Sequence, residues 1–191
     1  MDRAAIEALV LAAADGDQAA FDALVGRFTG LVWSVIRAHR LTDADAQDVF
    51  QTTWLRLVEH LDRIREPRAV GGWLATTARH ESLRVLRLTE RTRPTEPATL
   101  DDVDERLEEP DAAVLRAEEE RRVWAALGAL GDRCQALLRV LVADPAPSYE
   151  EVGAALDMPI GSIGPTRRRC LERLRTVIDD RGITAAARHS G

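Results

Sequence analysis

The stretch that most limits what this chain can fold into lies at residues 148–175, where a short amphipathic segment, a proline break and a longer arginine-rich segment follow in order. Ser148 and Glu151 form a capping box, which starts a helix by satisfying two otherwise unpaired backbone N–H groups. Val152, Ala155 and Leu156 then keep the spacing of one buried helical stripe. Asp157-Met158-Pro159 ends that helix, because a residue before proline avoids the α region. A second helix is expected to begin near Gly161 or Ser162. With Ser162 as its cap, Pro165 is the third helical residue, where a missing N–H has no partner to lose. Ile163, Cys170, Leu174 and Val177 share its inward face, and Gly164, Pro165, Arg168, Arg169, Glu172 and Arg175 face out. From Gly164 to Arg175 there are five arginines and one glutamate, on a chain of net charge −6. A tight turn between two helices, the second basic and uncluttered at its start, is the helix-turn-helix arrangement that enters the DNA major groove. Its candidate contacts are Ser162, Gly164, Pro165, Thr166, Arg167, Arg168 and Arg169. Arg167 stands at the edge of the apolar stripe, from which it can reach a phosphate or a neighbouring helix. The competing reading is a solvated helix face.

An acidic protein with one basic face holds DNA weakly by itself, since phosphate neutralisation supplies much of the affinity. That implies a partner providing the remaining phosphate contacts. All 26 basic residues are arginine; coding bias explains this better than function, because arginine also fills plainly exposed positions such as Arg3 and Arg188. At 191 residues the chain holds one domain or two small ones. No apolar run is expected to reach membrane-spanning length, and Met1-Asp2-Arg3 opens no secretory signal pattern, so the expectation is a cytoplasmic protein with no membrane insertion. Cys134 and Cys170 are too few for a disulfide framework and lack metal-ligand spacing with His39, His60, His80 or His189. Both fall at apolar helical positions and are expected as small buried hydrophobes. There is no phosphate-binding glycine loop and no nucleophile–base pairing, and Gly71-Gly72 alone carries no weight. No catalytic residue, metal or cofactor is expected.

Nearly every segment before residue 91 reads as helix. Ile6, Leu9 and Val10 give a short first helix ending at Asp15-Gly16. Asp17 can cap a long second one with Phe21, Leu24, Val25, Phe28, Leu31, Val32, Val35 and Ile36 on one face. Thr42 with Asp45 marks another start, after which Val49, Leu57 and Leu61 face inward and Asp45, Asp48, Gln51 and Thr52 form an acidic outer ridge. That ridge is either a solvated face with charge favourable to a helix N-terminus or a docking surface for a basic partner. The breaker-rich loop at 63–72 carries three arginines and leads into a helix from Trp73 to Arg87. There Leu74, Ala78, Leu83 and Leu86 turn inward, and Trp73, Arg79, His80, Arg84 and Arg87 make a basic, partly aromatic surface of the kind that stacks unpaired bases. Between Glu96 and Glu120 eleven acids face two arginines, the composition of a flexible linker up to Pro110. Helical pattern returns from Asp111, with Leu115, Val123, Trp124, Leu127 and Leu130 on one face. A helix capped by Asp132 follows, carrying Cys134, Leu137, Leu138, Val140 and Leu141.

This order of parts, with the segments DAQDVFQTTWLRL and GGWLATTARHESLRVLR followed by a linker and a C-terminal helix-turn-helix, resembles the bacterial RNA polymerase sigma factors. It is similar to the small extracytoplasmic-function (ECF) type of the sigma-70 family, over residues 16–93 and 113–178. The resemblance implies an all-α fold of two small helical domains joined by a flexible acidic linker: an N-terminal helix at 1–15, sigma region 2 at 16–93, the linker at 94–112, sigma region 4 at 113–181 and a tail at 182–191. It implies a dissociable specificity subunit for transcription initiation, serving a stress or extracytoplasmic regulon. Its partners are the β′ clamp helices and β flap of core polymerase, promoter DNA both double-stranded and melted, and an anti-sigma factor, for which the chain has no motif of its own. By position, Asp45, Asp48, Val49, Gln51 and Trp54 fall on the polymerase-docking helix. Arg65, Arg68, Trp73, Thr77, His80, Glu81 and Arg84 fall on the minus-ten surface; many relatives carry Asn where this chain has His80. The helix-turn-helix falls on the minus-thirty-five element. The alternatives are a helix-turn-helix regulator acting without polymerase and an all-α enzyme. The first would not need the acidic ridge and the arginine-aromatic helix together, and the second lacks catalytic residues.

Overall fold

The computed structural model describes residues 3–92 and 123–180, and among these every regular element is helical. An N-terminal block holds α1 (Arg3–Ala14), α2 (Gln18–Arg37), α3 (Asp43–His60), two 3-10 turns (Leu61–Arg63 and Pro67–Ala69) and α4 (Val70–Thr92). A C-terminal block holds α5 (123–128), α6 (Asp132–Leu141), α7 (Tyr149–Leu156) and α8 (Ile160–Asp180). The expected linker at 94–112, the tail at 182–191 and Leu115 lie outside the described residues.

Local chemistry fixes the helix starts. The Asp17 carboxylate accepts the N–H groups of Ala19 and Ala20 at 2.9 and 3.1 Å, and Thr42 accepts that of Asp45 at 3.2 Å. Ser148 and Glu151 close the capping box, the Ser148 N–H donating to Glu151 at 2.6 Å and the Glu151 N–H to Ser148 at 3.2 Å. Each cap satisfies donors that the first turn leaves open.

The stripe of α2 is the centre of the N-terminal block. Leu24, Phe28, Leu31, Val32, Val35 and Ile36 are fully buried, and Phe21 and Val25 partly so. By length and composition α2 could cross a membrane, contrary to the expectation from the sequence. Its apolar side is instead packed against α1, α3 and α4. One apolar cluster continues through Leu137, Val152 and Ile163 into the C-terminal block, so α4 rests on α7 and α2 on α6. The close approach needs glycine twice. A side chain at Gly30 would strike the Asp144 carbonyl, and one at Gly71 would strike the Glu151 carboxylate and the Phe28 ring.

Several boundaries differ from expectation. α4 starts at Val70 rather than Trp73, because Pro67–Ala69 forms a 3-10 turn that leads straight into it. Gly131, not Asp132, is the N-cap of α6. α8 starts at Ile160, which puts Pro165 inside the helix; Ser162 closes the start by donating both its hydroxyl and its N–H to the Pro159 carbonyl, at 2.7 and 2.9 Å. Val123 and Trp124 are exposed, and Ala126 takes the buried position with Leu127 and Leu130. Cys134 and Cys170 are buried as expected but bonded to each other, Cα atoms 5.3 Å apart, tying α6 to α8. Pairs of this kind are visible only once two helices have been placed face to face.

Candidate nucleic-acid interface

α8 leans on α6 and α7 through Ile163 and Cys170, with Leu174 and Val177 partly covered. Pro165, Arg167, Arg168, Arg169, Arg173 and Arg175 are left in solvent, and Ser162 and Gly164 are half-buried. Thr166 is 8% exposed and is not available to DNA; it shares the inward face of Ile163 and Cys170 at helical spacing. Among the described residues Arg167, Arg168 and Arg169 have no carboxylate partner. Arg169 makes only a long 3.4 Å contact to the Thr166 hydroxyl. The left-handed Asp157, with φ of 53°, turns the chain between α7 and α8.

The surface of α4 is more heavily engaged. Trp73 and Thr77 are half-buried and His80 is exposed, with the Trp73 ring 6.0 Å from that of His60. Glu81 is 6% exposed and binds two arginines, Arg56 of α3 at 2.8 Å and Arg84 at 2.7 Å. It is a bridge between helices rather than a base contact. Arg79, expected on the free surface, crosses to Asp157 of the C-terminal block at 2.9 Å. Burial, and secondly the Arg79 charge, hold the pKa of His39 below the ordinary histidine value. Arg65 is exposed, and Arg68 donates to Glu7 of α1 at 2.7 Å.

On α3 the structure keeps part of the expected ridge and replaces part. Asp48 and Gln51 are exposed and Asp45 is half-buried, its carboxylate accepting the Thr42 hydroxyl at 2.8 Å. Val49 and Trp54 are core residues: Trp54 meets Phe50 and Phe21 edge-on, at 6.0 and 6.5 Å. Val49 thus faces inward as its spacing predicts, neither it nor Trp54 is on the outer surface that the resemblance implied for docking, and Leu55 and Val58, 58% and 54% exposed, extend the ridge instead. The spacing Asp48, Gln51, Leu55, Val58 is itself helical, and it was open to discovery in the sequence as an apolar extension of the acidic face.

Residues 24–92 match the family model of sigma-70 region 2. The chain is 25% identical over 174 residues to the ECF RNA polymerase sigma-E factor of Escherichia coli, covering 87% of this chain and 88% of that protein. It is 26% identical over 172 residues to the RNA polymerase sigma-H factor of Pseudomonas aeruginosa, covering 86% of each. The region 2 match and these relatives support an ECF-type sigma factor of the sigma-70 family. A solved structure of CnrH in complex with the cytosolic domain of CnrY has a similar fold, with a TM-score of 0.61 and 22% identity, covering 92% of this chain and 98% of that one. As an RNA polymerase sigma factor the protein serves transcription initiation. The α3 ridge and the α4 surface of this sigma factor lie inside the region 2 match, and the arginines of α8 lie beyond it.

Proposed function

We propose that this sigma factor docks on core polymerase through Asp45, Asp48, Gln51, Leu55 and Val58 of α3, and reads two promoter elements with α4 and α8. Region 2 then occupies residues 16–93 and region 4 residues 113–181. The supporting observation is the division of surface chemistry: an acidic and apolar ridge on α3, and on α8 three consecutive exposed arginines without carboxylate partners among the described residues. The ridge suits the basic face of a clamp helix. Guanidinium groups suit phosphate oxygens and the guanine edge in the major groove.

At the minus-ten element, extruding one base from the stack costs a few kcal/mol. Trp73, Thr77 and His80 offer rings and a hydroxyl for it, while Arg65 offers charge to the backbone. At the minus-thirty-five element Ser162, Gly164, Pro165 and Arg167 to Arg169 enter the groove, with the β flap behind them. Acting with polymerase places the protein in the cytoplasm, as a subunit without catalysis of its own. CnrH, of similar fold, is bound to the cytosolic domain of a second protein, CnrY, and a protein partner of that kind, acting as an anti-sigma factor, completes this reading.

Run-off transcription with core polymerase and a cognate promoter tests this reading. Promoter-specific initiation is expected with the wild type. Asp48→Arg is expected to lose it, together with core affinity, while keeping its melting temperature. No initiation from any cognate promoter, with no binding to β′, overturns the assignment.

A further inference from the structure

Where the two blocks meet, a cleft of about 190 Å³ opens between the end of α2 and one face of α6. Arg37, His39 and Arg40 line it from one side, and Asp132, Gln135 and Arg139 from the other. Arg40 is held in the left-handed region, with φ of 51°, a conformation that costs a non-glycine residue energy and persists only where its surroundings fix it. Its guanidinium donates to Asp132 at 2.7 Å and to Gln135 at 3.3 Å. The single carboxylate lining the cleft is thereby engaged. Arg37 and Arg139 have none among the described residues, and each lies over an indole instead, 5.8 Å from Trp33 and 5.0 Å from Trp124. Burial, then the charges of Arg40 and Arg37, push the pKa of Arg139 below its ordinary value. The Nε2 atom of His39 is buried without a hydrogen-bond partner. A second cavity of about 310 Å³ shares Arg37 and Arg139 and adds Trp33, Trp124 and Val142.

Three guanidinium groups against one carboxylate repel each other, and a multivalent oxyanion would relieve that repulsion. We propose that this cleft binds a diphosphate-bearing ligand, its oxygens held by Arg37 from the N-terminal block and Arg139 from the C-terminal block. The planar fork of guanidinium fits two phosphate oxygens at once. The ligand would tie the blocks together, because its two main contacts come from opposite sides. Two sources share this chemistry, inorganic diphosphate and a nucleoside diphosphate, and the indoles beside the shared arginines offer a surface for the base of the second.

Isothermal titration of the full-length protein with inorganic pyrophosphate and with ADP, at fixed ionic strength, tests the proposal. Saturable binding of at least one is expected, accompanied by a rise in melting temperature. Arg37→Gln and Arg139→Gln, each checked for native helicity, are each expected to weaken it about tenfold or more, the loss of one charge-assisted contact. Tighter binding of ADP, with the advantage removed by Trp124→Ala, assigns the nucleotide. Pyrophosphate binding as tightly or more tightly assigns the inorganic ion. No saturable binding of either, heats that track salt concentration alone, or unchanged affinity in both arginine variants overturns the proposal.

Discussion

α4 and α8 are both arginine-bearing helices, and the sequence reads alike for both, yet their arginines do different work. α4 is central, packed on α2, α3 and α7, and its Arg79 and Arg84 are drawn into ion pairs with Asp157 and Glu81. α8 packs mainly on α6 and α7, and Arg167, Arg168 and Arg169 stay in solvent. A charged face becomes a binding face only where the helix keeps one side clear of neighbours. Substitutions of Arg79 and Arg84 should therefore register as stability, and those on the outer side of α8 as affinity.

The largest effect is expected from the inner side of α8. Cys170→Ser removes the tie to α6 across a sequence separation of 36, worth about 4 kcal/mol by loop entropy. Urea unfolding with and without reductant measures it, and identical midpoints for variant and wild type without reductant would show that the bond does not contribute. Next comes Arg169→Ala, expected to lose about 1–3 kcal/mol of binding to minus-thirty-five DNA with its melting temperature unchanged. A loss equal across all upstream sequences would make this a phosphate contact. Glu81→Ala leaves Arg56 and Arg84 unpaired. It should lower stability by about 1–2 kcal/mol, less than for a fully buried pair because both arginines are partly in solvent; chemical denaturation reads this, and an unchanged midpoint would return Glu81 to the list of DNA contacts. Asp157→Asn keeps a side chain that tolerates the left-handed turn and breaks an ion pair whose acid is exposed, so its cost should stay below about 1 kcal/mol, and a larger drop in melting temperature would show that the pair organises the block interface. The smallest effect is set by pH. His39 has a lowered pKa when folded, so the unfolded chain takes up its proton first as pH falls past 6.5. Stability from this residue is full above that pH and declines below it, and His39→Gln should flatten the decline in melting temperature between about pH 7 and 5.5.

Much of the fold was legible because caps and stripes are local. Asp17, Thr42 and Ser148 with Glu151 start helices where the sequence puts them, and the long stripe of α2 is the core. The misreadings at the candidate sites share a cause: spacing gives the direction of a buried face but not its width. α3 meets α2 on one side and α4 on another, so its buried arc widens to include Trp54 and even Thr53, whose hydroxyl turns back to donate to the Val49 carbonyl at 2.7 Å. Thr166 and Glu81 were lost to the surface in the same way, since neither the depth of the α6–α8 contact nor the pair of arginines converging on Glu81 is written in local sequence. Conversely Leu55 and Val58, though apolar, stay outside the core because among the described residues nothing covers that side of α3.

The glycine at position 30 sets a mechanical tolerance. With the Asp144 carbonyl where a methyl would sit, the halves of the molecule meet with no clearance, and Gly30→Ala acts as a wedge that holds them ajar without altering a charge. Promoter elements centred about 25 base pairs apart lie roughly 85 Å apart along the duplex, while a packed chain of this size spans only about 40 Å. Reading both elements at once requires the halves to travel, and contact at Gly30 marks the zero of that travel.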